Sequence, residues 1–183
     1  MSDQVIRGGA ALDRLLQTLP AKVEKNIMRA SLAAGARVIA KEAKRLAPVG
    51  RPSNVGAAQY GGYPGALRDS VRVTSGVTKE GKVYASIKAG GRTKKGADVF
   101  YAHIVEQGAR NHRIAPRRAL RLELGGQFVA GAVQHPGVQA RPFMRPAFDA
   151  QHVRAIEEVT RKIRDRIRKE GLDAPMPIDE SAV

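Results

Sequence analysis

Large apolar residues recur along the chain with two different periods. Leu12, Leu15, Leu16 and Leu19 fall at i, i+3, i+4 and i+7, the spacing of one helix face. Residues 10–19 are therefore predicted to form a short amphipathic helix. Pro20 opens a second one, because a proline at the first helical position gives up an N–H that has no helical partner there. Val23, Ile27, Met28, Leu32, Val38, Ile39 and Leu46 gather on one side of it. Lys22, Lys25, Arg29, Arg37, Lys41 and Lys44 gather on the other, as a solvated face or a stripe facing a polyanion. The helix should stop at Leu46, because Pro48 disfavours the helical region for Ala47. Near the other end, Phe148, Ile156, Val159, Ile163 and Ile167 form the stripe of a long helix from about Arg145 to Glu170. Glu157–Arg161, Glu158–Lys162 and Asp165–Lys169 stand at i, i+4 along it, a favourable pairing.

Between the helices the period falls to two. Val71, Val73 and Val77 occupy odd positions, and KEGK then turns the chain. Apolar side chains alternate through Val83–Ala89, so one face is expected to be buried and the other wet. VFYAHIVEQ reads as a short helix ended by Gly108. Ala119–Leu124 and Gln127–Val133 read as a hairpin across Gly125–Gly126, a dipeptide suited to a tight turn. Two Gly-rich stretches, 48–65 and 90–98, read as loops, and ARNHRIAPRR as a basic connection. The order is helix, helix, strands, short helix, strands, helix. It predicts an α+β fold: an antiparallel sheet with an N-terminal helical segment and a long C-terminal helix packed on one face. Residues 1–171 are expected to form one domain, and 172–183 a loose tail.

Charge narrows the partners. The chain of 183 residues carries +15. Residues 1–47 hold +5 of it, 48–98 hold +6, 99–143 hold +4, and 144–183 are neutral. Such an excess attracts polyanions, whether nucleic acid, an anionic membrane or an acidic protein surface. Aromatics are only 4% and Trp is absent, which argues against a base-stacking RNA module. The N-terminus has no apolar signal core, and no apolar run approaches the ~20 residues of a membrane span. Neither export nor a membrane partner is expected.

Candidate chemistry is sparse. The chain has no Cys, which removes disulfides, thiolate catalysis and Cys-based zinc sites. His103, His112, His135 and His152 fit no metal-ligand spacing. His103 and Glu106 stand three apart in the short helix and are expected to pair, as structure rather than as a catalytic dyad. Gly91-Arg-Thr-Lys-Lys-Gly96 has the glycine spacing of a phosphate loop, but Ala97-Asp98 replaces the Lys and Ser/Thr that such a loop needs. The first 143 residues hold only nine carboxylates, scattered singly, whereas a metal-dependent nuclease gathers them. No enzyme, cofactor or metal is expected.

Three segments bear a family resemblance. The first is Ala47-Pro48 followed, after a Gly-rich gap, by Gly65-Ala66-Leu67-Arg68-Asp69-Ser70-Val71. The second is Tyr101-Ala-His-Ile-Val-Glu106-Gln-Gly108. The third is His135-Pro136-Gly137-Val-Gln-Ala-Arg141-Pro142-Phe143-Met-Arg145-Pro146-Ala147. In this order, between helical ends, the chain resembles the phage tail-component family over about residues 10–170: the tail-completion, or head–tail joining, neck proteins of long-tailed phages and prophages.

The resemblance implies a virion structural protein made in the bacterial host cytoplasm. It would form a homo-oligomeric ring, typically of six, between the head connector and the tail tube. Its partners would be a head-completion or connector protein and a tail-tube or tail-terminator protein. Passing DNA would be an electrostatic contact. The resemblance implies neither catalysis nor a cofactor. Pro48, Gly65, Pro136, Gly137, Pro142 and Pro146 would fix chain direction at element junctions. Leu67, Arg68, Ser70, Tyr101, Glu106 and Gly108 complete the motif positions. Phe143 and Phe148 are candidate core or interface anchors, with Arg141 and Arg145 beside Phe143. Loops 49–64 and 90–98 are expected to act in assembly, ordering against neighbours. Tyr60 and Tyr63 would anchor the first, and Arg92, Lys94 and Lys95 would meet an acidic neighbour or DNA. The second reading, on charge alone, is a basic nucleic-acid-binding protein.

Overall fold

A computed structural model describes residues 21–50, 62–115, 121–124 and 127–170. In chain order these form α1 (Ala21–Leu46), α2 (Ala66–Ser70), β1 (Arg72–Val77), β2 (Val83–Lys88), β3 (Gly91–Arg92) and β4 (Asp98–Val99). Then come α3 (Ala102–Gln107), β5 (His112–Ile114), β6 (Arg121–Leu124), β7 (Gln127–Ala130), β8 (Val133–His135) and α4 (Met144–Lys169). The class is mixed α+β. The strands form four two-stranded sheets, β1–β2, β3–β4, β5–β8 and β6–β7, rather than the one sheet expected. The helix expected over residues 10–19, with Pro20, lies outside the described residues, as do Tyr60, most of loop 49–64 and the tail 172–183.

The chain divides into two compact units, residues 1–38, 74–86 and 153–183, and residues 39–73 and 87–152. In the first unit, Ile27, Ile163 and Ile167 are buried together, with Val23, Met28 and Val159 packed around them. Each fully buried Ile contributes about 1.5–3 kcal/mol relative to exposure. Gly35 lets two helices approach closely: a Cβ there would stand 2.5 Å from Val159 Cγ2 and 2.7 Å from the Ala155 carbonyl oxygen. Small residues dominate the buried side of α1 here, with Ser31, Ala33 and Ala34 buried and Leu32 only half-buried. The buried Ser31 hydroxyl donates to the Ile27 carbonyl one turn back, 2.8 Å, so it enters the apolar face without an orphaned polar group.

The β1–β2 turn is closed by Thr78 N–H to Lys82 O, 2.8 Å, and Gly81 N–H to Thr78 O, 3.0 Å. Across the strands the Tyr84 ring covers Gly76, where a Cβ would lie 2.9 Å from its hydroxyl. The alternation in β2 holds only weakly. Val83, Ala85, Ser86 and Ile87 are half-buried and none is buried, because a two-stranded ribbon offers little cover.

In the second unit, α1 ends as its sequence dictates. Ala47 N–H still reaches Ala43 O at 2.9 Å, and the helix runs no further. The strands of the expected hairpin pair: β6 runs antiparallel to β7 with Leu124 opposite Gln127, and Gly125–Gly126 lie outside the described residues. The expected loop 90–98 is a small hairpin instead. Gly91 pairs with Val99 and Arg92 with Asp98. The expected basic connection contains β5, which pairs with β8 through His112–His135, Arg113–Gln134 and Ile114–Val133.

Two expectations for α4 are corrected. Phe148 and Ile156 are exposed, while Phe143, Ala147 and Ala155 are buried. Arg161 turns to Glu158, 2.6 Å, and Asp165, 3.0 Å, rather than to Glu157. The i, i+3 carboxylate gives it a two-point bond (Nε–Oε2 2.9 Å, Nη2–Oε1 2.6 Å) that fits the planar guanidinium. No helix among the described residues is long and apolar enough to cross a membrane.

Candidate assembly site

The second and third motif segments meet in the second unit, largely through backbone groups. α3 is a short helix, and Gly108 ends it with φ 76°, its N–H returning to Ile104 O at 2.7 Å. The chain then runs antiparallel to the third segment. Ala109 N–H donates to Val138 O at 2.9 Å, and Val138 N–H to Ala109 O at 2.8 Å. Both glycines are demanded by this approach. A Cβ on Gly108 would stand 2.7 Å from the Val138 oxygen, and one on Gly137, at φ 88°, 2.3 Å from the Ala109 oxygen. Arg141 N–H then reaches Val105 O at 2.8 Å. The third segment is thus laid along the second, residue against residue.

Glu106 completes the junction. Its Oε2 accepts from Phe143 N–H at 2.8 Å and Met144 N–H at 3.0 Å, and its Oε1 from Arg145 N–H at 3.0 Å. These N–H groups open α4 and have no partner within it. Glu106 therefore caps a helix whose sequence lies 37–39 residues away. A carboxylate at a helix N-terminus also meets the positive end of the helix dipole. Burial pushes the Glu106 pKa up, but the three backbone N–H groups outweigh it and hold the group below the usual carboxylate range. Behind the cap, Phe143 and Ala147 are fully buried. The expected His103–Glu106 pair is not formed. His103 Nδ1 lies 3.0 Å from the Phe100 oxygen, and Glu106 is committed to α4.

The first segment docks on the β3–β4 hairpin. Gly65, at φ 88°, opens α2, and Ala66, Leu67 and Ser70 bury. The Ser70 hydroxyl donates to Leu67 O at 2.6 Å and accepts from Gly90 N–H at 2.9 Å. Arg72 binds the carbonyls of Ser70 (3.2 Å) and Gly90. Thr93 is buried in the hairpin and accepts from Ala97 N–H through its hydroxyl at 3.1 Å. At the surface, Tyr63 donates its hydroxyl to Asp69 Oδ2 at 2.9 Å. Lys95 stands 3.6 Å from the same carboxylate and 4.8 Å over the Tyr63 ring. The Tyr63 hydrogen bond, then Lys95 and Arg68, hold Asp69 below the usual range. Burial, then the Tyr63 neighbour, pushes the Tyr101 pKa up.

The structure thus brings Gly65, Leu67, Arg68, Ser70, Tyr63 and Lys95 into one cluster. It brings Glu106, Gly108, Gly137, Arg141, Phe143 and Arg145 into a second. Pro48 follows the end of α1, half-buried, and Pro136, Pro142 and Pro146 are exposed at junctions. Arg92 and Lys94 are exposed on the hairpin. The residues not anticipated are Gly90, Arg72, Asp69 and Thr93. Gly90, at φ 99°, had a visible signal in its Gly-Gly pair. Arg72 and Asp69 make long-range contacts, to Gly90 and Lys95, that no local pattern announces, while Thr93 closes its own turn on Ala97. Among the described residues, no group of three or more His, Asp or Glu side chains could hold a metal.

The described residues thus form a mixed α+β chain whose most specific contacts are chain junctions, and the chain carries +15. A family model described as "Bacteriophage HK97-gp10, putative tail-component" matches residues 10–108, more than half of the chain. The chain belongs to this family of phage tail components. No curated protein and no solved structure matches it. The match takes in the first two motif segments and ends at Gly108, the residue from which the chain turns toward the third. A phage tail component works among other structural proteins of the virion.

Proposed function

We propose that this tail component acts at the neck of a long-tailed phage, as a homo-oligomeric ring, typically of six, that completes the tail and joins it to the head connector. The observation that carries the reading is the family match together with the junction at Glu106 and Gly137. There the chain spends backbone hydrogen bonds and two positive-φ glycines on fixing directions rather than on assembling reactive groups. Neighbour geometry in a closed ring tolerates little error, and such junctions supply fixed directions. The protein performs no catalysis in this reading. Its basic surfaces, the hairpin residues Arg92 and Lys94 among them, meet acidic neighbours or the DNA that passes through the neck.

The test is removal of the chain from an otherwise intact phage. The reading expects filled heads and finished tails that remain apart and join when purified protein is added back. Joined, infectious particles made without the chain would refute it, as would retention of full-length tails with no joining defect.

A further inference from the structure

The Gly-rich segment 48–65 and the β3–β4 hairpin are far apart in sequence, yet one carboxylate touches both. Asp69 lies in α2, and its two oxygens face different groups. Oδ1 faces Arg68 Nε of the same helix at 3.8 Å. Oδ2 is shared. The Tyr63 hydroxyl donates to it at 2.9 Å, and Lys95 Nζ stands 3.6 Å from it. Tyr63 stands three residues before α2, where the Gly-rich segment ends, and Lys95 is in the turn between β3 and β4. The Lys95 ammonium also lies 4.8 Å over the Tyr63 ring, so each of the three side chains touches the other two. All three belong to the second unit.

The three contacts differ in kind and support one another. The ionised carboxylate strengthens the hydrogen bond from Tyr63. That bond orients the ring, and the ring face attracts the ammonium. The ammonium in turn favours the ionised form of Asp69 that the hydroxyl needs. Such a network loses more than one contact when one member goes. The two elements are otherwise closed on themselves. In the hairpin, Thr93 N–H donates to Ala97 O at 2.8 Å and Gly96 N–H to Thr93 O at 3.0 Å. Before α2, Ala66 N–H donates to Tyr63 O at 3.0 Å. Ser70 and Arg72 fasten the base of the hairpin at Gly90, and Lys95 ties its turn to α2. At Gly96 the turn is open, with nothing within 4 Å of where a Cβ would stand.

We propose that Tyr63, Asp69 and Lys95 form a clasp that couples the end of the Gly-rich segment to the turn of the β3–β4 hairpin. A neighbour that steadies either element then steadies the other, because such coupling is reciprocal. Removing the Lys95 ammonium from the clasp loosens Tyr63. The inference goes beyond the ring reading, since it concerns the free chain alone.

Amide hydrogen exchange of the full chain, followed residue by residue by nuclear magnetic resonance, tests the clasp. The Ala66 N–H reports the end of the Gly-rich segment, and the Thr93 and Gly96 N–H groups report the turn. Tyr63→Phe keeps the ring and loses the hydroxyl. It should speed exchange at Thr93 and Gly96 about two- to fivefold, the scale of an exposed ion pair. Lys95→Gln should speed exchange at Ala66 to the same degree. In an Asp69→Asn background neither substitution should add anything. The Phe143 and Arg145 N–H groups, held by Glu106, should exchange as in the natural chain in every variant. Purely local effects, with Tyr63→Phe felt only at Ala66 and Lys95→Gln only in the turn, would overturn the proposal. So would further effects of either substitution in the Asp69→Asn background. Equal acceleration at Phe143 and Arg145 would also overturn it, because it would mark loosening of the whole unit rather than of a clasp.

Discussion

The two ends of α4 are held by different physics. Toward its C-terminus, Ile163 and Ile167 are buried with Ile27, and the stabilisation is apolar area removed from water. At its N-terminus the helix is held by a carboxylate from α3, by two glycines that let backbones touch, and by one buried ring, Phe143. The first kind of contact is tolerant, because any apolar side chain of similar volume partly restores it. The second kind is not. A hydrogen bond to Phe143 N–H needs a carboxylate at one place, and Gly137 has no substitute at φ 88° with an oxygen where its Cβ would go. The motif residues of the second and third segments lie at the intolerant end, where a particular residue, rather than a residue class, is demanded.

The sharpest break in this contrast is expected from Gly137→Val. The left-handed conformation and the collision with the Ala109 oxygen should together cost more than about 3 kcal/mol, and the full chain should lose its cooperative urea transition. A midpoint within error of the natural protein would show that the junction yields. Ile167→Ala should cost about 2–4 kcal/mol through lost transfer energy and a cavity. Ile167→Leu or Ile167→Met should recover most of that, measured by the same unfolding curves. If neither recovers it, the tolerance assigned to this end is wrong.

Glu106→Gln should cost about 1–2 kcal/mol, the lower part of the range for charged acceptors, because the carboxylate is only half-buried. It should also flatten the acid limb of stability. The folded-state pKa of Glu106 is depressed, so its contribution is complete above the unfolded value near 4.5 and is lost as pH falls from there through the folded value. Chemical denaturation between neutral pH and pH 3 checks this. An unchanged slope in Glu106→Gln would mean that the cap carries no charge effect. The smallest effect is expected from Arg161→Ala. Its ion pairs with Glu158 and Asp165 are solvent-exposed, and the melting temperature should not move measurably.

How much could be read in the sequence follows the same divide. The stop of α1 at Leu46, the end of α3 at Gly108, the pairing of β6 with β7 and the length of α4 follow from proline, glycine and period-3.6 signals within a few residues. The β3–β4 hairpin did not, because it holds by Thr93 and backbone bonds rather than by alternating apolar residues. The strand β5 was hidden in His-Arg-Ile, which has no period. Glu106 was placed in the right helix but given the wrong partner, since its true partners lie 37–39 residues on. Phe148 fits the apolar stripe by spacing, yet Phe143 and Ala147 fill the interior at that end. The three segments that carried the family resemblance gave no sign that a carboxylate in the second ties it to the third.

The measurement that bears most directly on the function is an image of the phage neck, with this chain located in the virion by a bound antibody fragment or by fitted density. The account predicts a closed ring of copies of this chain between the head connector and the tail tube, absent from particles that lack it. Finding the chain along the tail shaft, at the tail tip, or only as isolated subunits at the neck would contradict it.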